Sequence, residues 1–124
     1  MKIIEAISRL DSLKRNTYTH SDKVGWLSTL DGMVKEQIID KHLGADKVSF
    51  NGYSDDTDVN TVLLIPAPYD EVYLRWLEAQ IDYANGEYGK YNNSMDMFNT
   101  SFDAYAKHYA RNNLPVSHGP RFIF

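Results

Sequence analysis

The apolar residues of this chain recur at three- and four-residue intervals, which is the spacing of an amphipathic α-helix. Over residues 2–13 this pattern predicts a short first helix. A second helix is predicted to begin at a capping box, in which the Thr19 oxygen accepts the Asp22 amide and the Asp22 carboxylate accepts the Thr19 amide. Its apolar stripe consists of Leu27, Leu30, Val34 and Ile38. The helix is predicted to end near His42, with Gly44 as its stop.

The longest periodic pattern lies in the second half of the chain. From Leu77 to Tyr109, apolar residues alternate in steps of four and three and form a heptad-like seam. The seam consists of Leu77, Ile81, Ala84, Tyr88, Tyr91, Met95, Phe98, Phe102, Tyr105 and Tyr109. Pro68 suits the first position of this helical region, because the fixed φ of proline matches a helix start. The seam predicts that most of residues 68–112 is helical, with Phe98 and Phe102 in the core.

The length of the seam requires a corner. A straight helix from Pro68 to Asn112 would be about 65 to 70 Å long, whereas a compact chain of this size has a diameter of about 35 Å. We therefore predict a break or sharp bend between Asn85 and Gly89. Two arrangements satisfy this requirement: an antiparallel helical pair, or a bent helix whose far end packs on another subunit.

Two regions have no helical pattern. Residues 44–67 combine an Asn-Gly turn signal, an acidic stretch and an apolar TVLLI segment, and they predict a long irregular loop or arm. Residues 113–124 contain Pro115 and Pro120 and predict an extended, flexible C-terminal tail. The sequence therefore predicts an all-α fold, a small bundle of about four helices over residues 1–112, with a long loop between the second and third helices.

Composition narrows the possible functions. The 124 residues suit one domain, and 43% of them are hydrophobic. The nine tyrosines indicate either a binding or assembly surface or a tyrosine-lined core. A net charge of −4 argues against binding to duplex DNA, which requires several cations. No segment approaches the about 20 apolar residues that span a bilayer, so we expect a soluble protein with no membrane partner.

The sequence contains no recognisable catalytic or metal-binding motif. The chain has no cysteine, which excludes thiolate chemistry, and its four histidines are scattered. Asp56, Asp58 and Asn60 have the spacing of a calcium loop, but Thr61 replaces the required glycine and Ala67 the required glutamate. We therefore expect no catalytic residue, cofactor or metal, and no enzymatic activity.

Two stretches carry a resemblance to a known family. They are WLSTLDGMVKEQIID, at residues 26–40, and LLIPAPYDEVYLRWLEAQIDYANGEYGKYNNSMDMFN, at residues 63–99. With the short first helix and the tail, they resemble the small head–tail connector (adaptor) proteins of tailed bacteriophages and prophages. The likeness covers nearly the whole chain.

The resemblance implies a structural role. It implies a homo-oligomeric ring beneath the portal protein, which extends the DNA channel and offers a surface to a downstream neck or tail-completion protein. DNA would pass through the channel without specific binding. The expected location is the neck of the virion, and the cytoplasm of the bacterial host during assembly.

Six residues are candidates for the subunit or partner interface. Two are tyrosines beside the glycines of the predicted corner, and four lie in the tail: Tyr88, Tyr91, Arg121, Phe122, Ile123 and Phe124. The alternative function is a small acidic helical binding or regulatory protein of phage or prophage origin that sequesters a basic partner. The net charge and the acidic loop favour that alternative.

Overall fold

The computed structural model describes residues 1–116, and this part of the chain contains four α-helices. They are α1 (Ile3–Leu13), α2 (His20–Gln37), α3 (Val72–Ala84) and α4 (Tyr88–Asn112), and two 3₁₀ turns cover Ile39–Lys41 and Ala45–Lys47. The only extended pairings within these residues are two isolated bridges. The predicted all-α bundle of about four helices is confirmed.

α3 is the central helix and contacts the other three. Eight of its thirteen side chains are buried: Val72, Tyr73, Leu74, Trp76, Leu77, Ala79, Ile81 and Asp82. Leu10 of α1 and Leu27 of α2 are fully buried in the same core. The capping box predicted for α2 is present, because Thr19 Oγ1 accepts the Asp22 amide at 3.1 Å and Asp22 Oδ2 accepts the Thr19 amide at 3.2 Å. The core therefore forms around α3.

The predicted corner lies between α3 and α4, which form an antiparallel pair. The Asn85 amide still donates to the Ile81 carbonyl at 2.9 Å, as the last bond of α3. Gly86 then adopts a φ of 74°, a left-handed conformation that glycine adopts without steric cost. The reversed chain packs the Phe98 ring against the Trp76 ring, with centroids 5.0 Å apart. The antiparallel pair is thus the correct one of the two predicted arrangements.

Two predicted helix boundaries are wrong. α2 ends at Gln37 rather than near His42, because the backbone tightens into a 3₁₀ turn there. α3 begins at Val72 rather than at Pro68. In the segment before Val72, the Tyr69 amide donates to the Pro66 carbonyl at 3.0 Å. A bond of that span closes a tight turn rather than an α-helical turn.

The long loop packs on its own chain. Leu63 and Ile65 are buried in the core. The Leu63 amide donates to the Met1 carbonyl at 2.9 Å, and the Ile3 amide donates to the Thr61 carbonyl at 3.0 Å. Residues 59–65 are therefore part of the body of the subunit, whereas the acidic residues Asp55, Asp56 and Asp58 remain exposed.

The first residues of the predicted tail are also attached to the body. The Leu43 amide donates to the Leu114 carbonyl at 2.8 Å, and the Val116 amide donates to the Lys41 carbonyl at 2.9 Å. Residues 117–124, which include most of the predicted tail, lie outside the described residues. No helix of residues 1–116 has the length and apolarity that crossing a membrane requires.

Candidate interaction surface

Three tyrosines cluster at the turn between α3 and α4. The Tyr83 ring lies 5.6 Å from the Tyr88 ring and 5.1 Å from the Tyr91 ring, measured between centroids. Tyr83 is 57% exposed and Tyr88 is 59% exposed, while Tyr91 is half-buried. We call these three residues the tyrosine tip. It presents a preformed aromatic surface to solvent.

The turn that carries the tyrosine tip is held to the body by a buried carboxylate. Asp82 is almost fully buried, and its Oδ1 lies 2.5 Å from Lys14 Nζ. Its Oδ2 accepts a hydrogen bond from Ser94 Oγ at 2.8 Å, which joins α3 to α4. On the turn itself, Tyr18 OH donates to Asn85 Oδ1 at 2.5 Å. The tip is therefore fixed to α3, to α4 and to the segment that connects α1 with α2, rather than attached by a free loop.

The structure places the predicted interface residues as follows. Tyr88 and Tyr91 come together, and Tyr88 is exposed. Whether they contact a partner stays a prediction. The four tail candidates lie outside the described residues. Tyr83 was missed because it lies off the apolar seam. A large aromatic residue at a position predicted to face solvent is the signal that would have found it.

A second buried carboxylate, Asp31, joins α2, α3 and the long loop. Asp31 is fully buried. Its Oδ1 accepts a hydrogen bond from Tyr73 OH at 2.6 Å, and its Oδ2 accepts from Tyr53 OH at 2.5 Å and from the Leu64 amide at 3.1 Å. Tyr73 OH also accepts the Ile65 amide at 2.7 Å. We call Asp31, Tyr53 and Tyr73 the Asp31 network, and its geometry holds the loop against the helices.

The Asp31 network changes the acidity of its members. Burial raises the pKa of Asp31, although its three hydrogen-bond donors favour the ionised form and oppose that rise. Burial and the nearby Asp31 charge raise the pKa of both Tyr53 and Tyr73 well above the ordinary value for tyrosine. Burial also raises the pKa of Tyr105 to about 12. Both carboxylate oxygens of Asp31 accept hydrogen bonds, and the side chain is fully buried. The role that this geometry gives Asp31 is to hold the long loop against α2 and α3.

These shifts predict alkaline unfolding. A tyrosine whose pKa is raised in the folded state contributes stability below the unfolded-state pKa of about 10, and this contribution falls as the pH rises further. We therefore expect part of the tyrosinate absorbance of the nine tyrosines to develop together with the loss of helical circular dichroism. Titration of all nine tyrosines with the helical signal intact would contradict this expectation. Tyr53→Phe should reduce the coupled fraction.

Metal-ligating groups do not gather in the part of the chain that the structure describes. No three histidine, aspartate or glutamate side chains come together within residues 1–116. Asp58 uses its Oδ1 to accept the Asn60 amide at 2.9 Å, a local turn contact.

Comparisons with known proteins identify no relative. No protein-family model, curated protein or solved structure matches the chain.

Proposed function

We propose that this protein is a head–tail connector subunit of a tailed bacteriophage or prophage, which forms a ring beneath the portal and extends the DNA channel. The observation that carries the proposal is the incomplete burial of α4. Of its 25 residues only Phe98 and Tyr105 are buried. Tyr88 and Met97 also leave large apolar side chains exposed on this helix, which suits a protein whose neighbours cover them. The proposed role is structural and requires no cofactor.

The two ends of the subunit support the proposal because they differ. α4 is about 36 Å long from Tyr88 to Asn112, and the tyrosine tip lies at its first end. Near its other end Leu43 is 56% exposed and Leu114 is 71% exposed. Contacts between two different surfaces are heterologous, and such contacts close into rings when the rotation between copies permits. Two different exposed surfaces at opposite ends of α4 support the proposal of a heterologous, ring-forming contact.

The charge of the subunit suits a DNA channel. The net charge is −4, and Asp55, Asp56 and Asp58 are exposed on the long loop. Negative groups repel DNA phosphates and favour sliding over binding. The proposed partners are other copies of the chain, the portal protein, and a downstream neck or tail-completion protein. The proposed location is the virion neck, after assembly in the bacterial cytoplasm.

The mass in solution tests the proposal. We expect either a discrete large oligomer, or a monomer that forms a stoichiometric ring when the portal protein of the same phage is added. Multi-angle light scattering measures both states. A monomer that is unchanged by the portal protein would contradict the connector function.

The acidic regulatory protein remains the second candidate. Within residues 1–116, Asp55, Asp56 and Asp58 form no ion pair, so their charge is available to a basic partner. Binding through exposed charges is screened within about 10 Å at ordinary ionic strength. Partner binding that disappears with moderate salt would favour the regulator, and binding that persists would favour the connector.

A further inference from the structure

We propose that the tyrosine tip of one copy binds residues 121–124 of a neighbouring copy. This inference rests on the proposed self-assembly and names the two surfaces that meet. It follows from the composition of the tip, the chemistry of residues 121–124, and the distance between the tip and Val116.

The composition of the turn is typical of a protein-binding surface. Nine of the twelve residues in the segment 83–94 are tyrosine, asparagine, glycine or serine. The same four residue types dominate antibody binding loops, where tyrosine gives a large contact area at low entropic cost and asparagine and serine give adaptable hydrogen bonds. In this chain the tyrosines are already packed together and the turn is held by Asp82. The tyrosine tip therefore loses little further conformational freedom when it binds, so its own entropic cost of binding is small.

Residues 121–124 have the chemistry that such a surface recognises. The segment reads Arg-Phe-Ile-Phe. Phenylalanine rings pair with tyrosine rings in offset or edge-to-face arrangements worth about 0.5–1.5 kcal/mol beyond the area that they bury. A guanidinium over a tyrosine face adds a cation–π interaction. Residues 113–120, which precede this segment, contain no aspartate or glutamate. No acidic side chain in that stretch therefore competes with the tyrosine tip for Arg121.

The covalent length of the chain favours a contact with a neighbouring copy over a contact within one copy. The Val116 amide donates a hydrogen bond to the Lys41 carbonyl. The ring of His42, the next residue, packs on the Tyr109 ring with centroids 5.1 Å apart, so Val116 lies near the level of Tyr109 along α4. Tyr88 is 21 residues from Tyr109 on α4, or about 32 Å. Phe124, the last residue of the segment, follows Val116 by eight residues, which span at most about 29 Å. Even a fully extended backbone therefore falls short of Tyr88 of the same copy, which favours a neighbouring copy.

Each copy would consequently use its tip towards one neighbour and its residues 121–124 towards the other. This is a head-to-tail, heterologous arrangement, which closes into a ring or extends as a filament. A contact between two tips would instead give a closed dimer. The alternatives are thus distinguishable by which residues come within cross-linking distance.

Cross-linking of introduced cysteines tests the proposal, because the chain has no cysteine of its own. One full-length variant carries Asn92→Cys, at an exposed position next to Tyr91, and another carries Ile123→Cys. A short bis-maleimide is added to an equal mixture. Docking raises the effective concentration of the two thiols to the millimolar range, so we expect at least about tenfold more mixed dimer than in a control. The control mixture replaces the first variant with Ser12→Cys, on the exposed face of α1.

The outcomes separate the possible occupants of the tip. No excess of mixed dimer over the control overturns the proposal. Dimers of Asn92→Cys alone overturn it in favour of tip-to-tip contact, and an intramolecular link in the double variant Asn92→Cys/Ile123→Cys overturns it in favour of the chain's own segment. In the supported case, adding Tyr83→Ser and Tyr88→Ser to Asn92→Cys should abolish the mixed dimer while the circular dichroism stays helical.

Light scattering on the same samples distinguishes this inference from the proposed function. A ring that forms without the mixed dimer overturns only the docking of residues 121–124 on the tip. A chain that stays monomeric with the portal protein and gives no mixed dimer overturns both.

Discussion

Asp31→Ala should lower the free energy of unfolding by about 3 kcal/mol or more. The substitution leaves the hydroxyls of Tyr53 and Tyr73 and the amide of Leu64 without their acceptor. A buried donor without a partner costs about 1–3 kcal/mol, and removal of the buried carboxylate offsets part of that cost. Because domains of this kind are stable by about 5–15 kcal/mol in total, the loss is a large fraction of the whole.

Urea unfolding followed by circular dichroism measures this effect. Asp56→Ala is the matched control, because it removes an exposed aspartate from the loop that Asp31 holds, and we expect a change within about 0.5 kcal/mol. Tyr53→Phe removes one bond of the Asp31 network and should cost about 1 kcal/mol. An Asp31→Ala variant as stable as the control would show that the network does not hold the loop.

Helical periodicity accounts for the position of Asp31, which was not among the residues predicted to be buried, but it does not account for the partners of Asp31. Asp31 follows Leu27 by four residues and precedes Val34 by three, so it lies on the buried stripe of α2. Tyr53 and Tyr73 are 22 and 42 residues away along the chain. Periodicity describes one element at a time, and it contains no information about which loop residue will reach a given helix face.

The same limit explains why some residues of the seam are buried and others are exposed. The alternation of four and three predicts the helices correctly on both sides of the corner, but it treats all ten positions alike. In the structure Leu77 and Phe98 are buried, whereas Ala84 and Tyr88, in the middle of the seam, are exposed. They flank the turn between α3 and α4 and remain exposed there. Burial at the corner therefore depends on tertiary packing, which the sequence pattern does not specify.

The prediction that α3 starts at Pro68 failed for a different reason. Pro68 is a good first residue for a helix, and the two acids that follow suit a helix N-terminus. In the fold Asp70 instead lies 3.6 Å from the amino group of Met1, and Glu71 pairs with Arg9 at 2.7 Å. These contacts accompany the turns of the segment before Val72. Local preference thus did not decide the start of α3, and the tertiary contacts of this segment with Met1 and α1 lie outside any local sequence window.

A matched pair of substitutions on the seam separates the core from the proposed interface, and Phe98→Asp should have the larger effect on folding. Phe98 is only 2% exposed, and its ring lies 5.0 Å from Trp76 and 5.4 Å from Phe102. Loss of a buried phenyl ring costs about 3–5 kcal/mol, and an unpaired buried carboxylate adds to that. The sum approaches the total stability of the domain, so we expect loss of the cooperative unfolding transition and of most of the helical signal.

Tyr88→Asp introduces the same charge on the same helix, ten residues earlier, at a position that is 59% exposed. Its expected effect on the free energy of unfolding is within about 0.5 kcal/mol, because no core contact is lost. Assembly should nevertheless fail, since a carboxylate in the tyrosine tip repels aromatic faces and would require desolvation on binding. Circular dichroism and light scattering on both variants measure the two effects independently. A Tyr88→Asp chain that assembles like the natural one would remove the tyrosine tip from the interface, and a folded Phe98→Asp chain would remove Phe98 from the core.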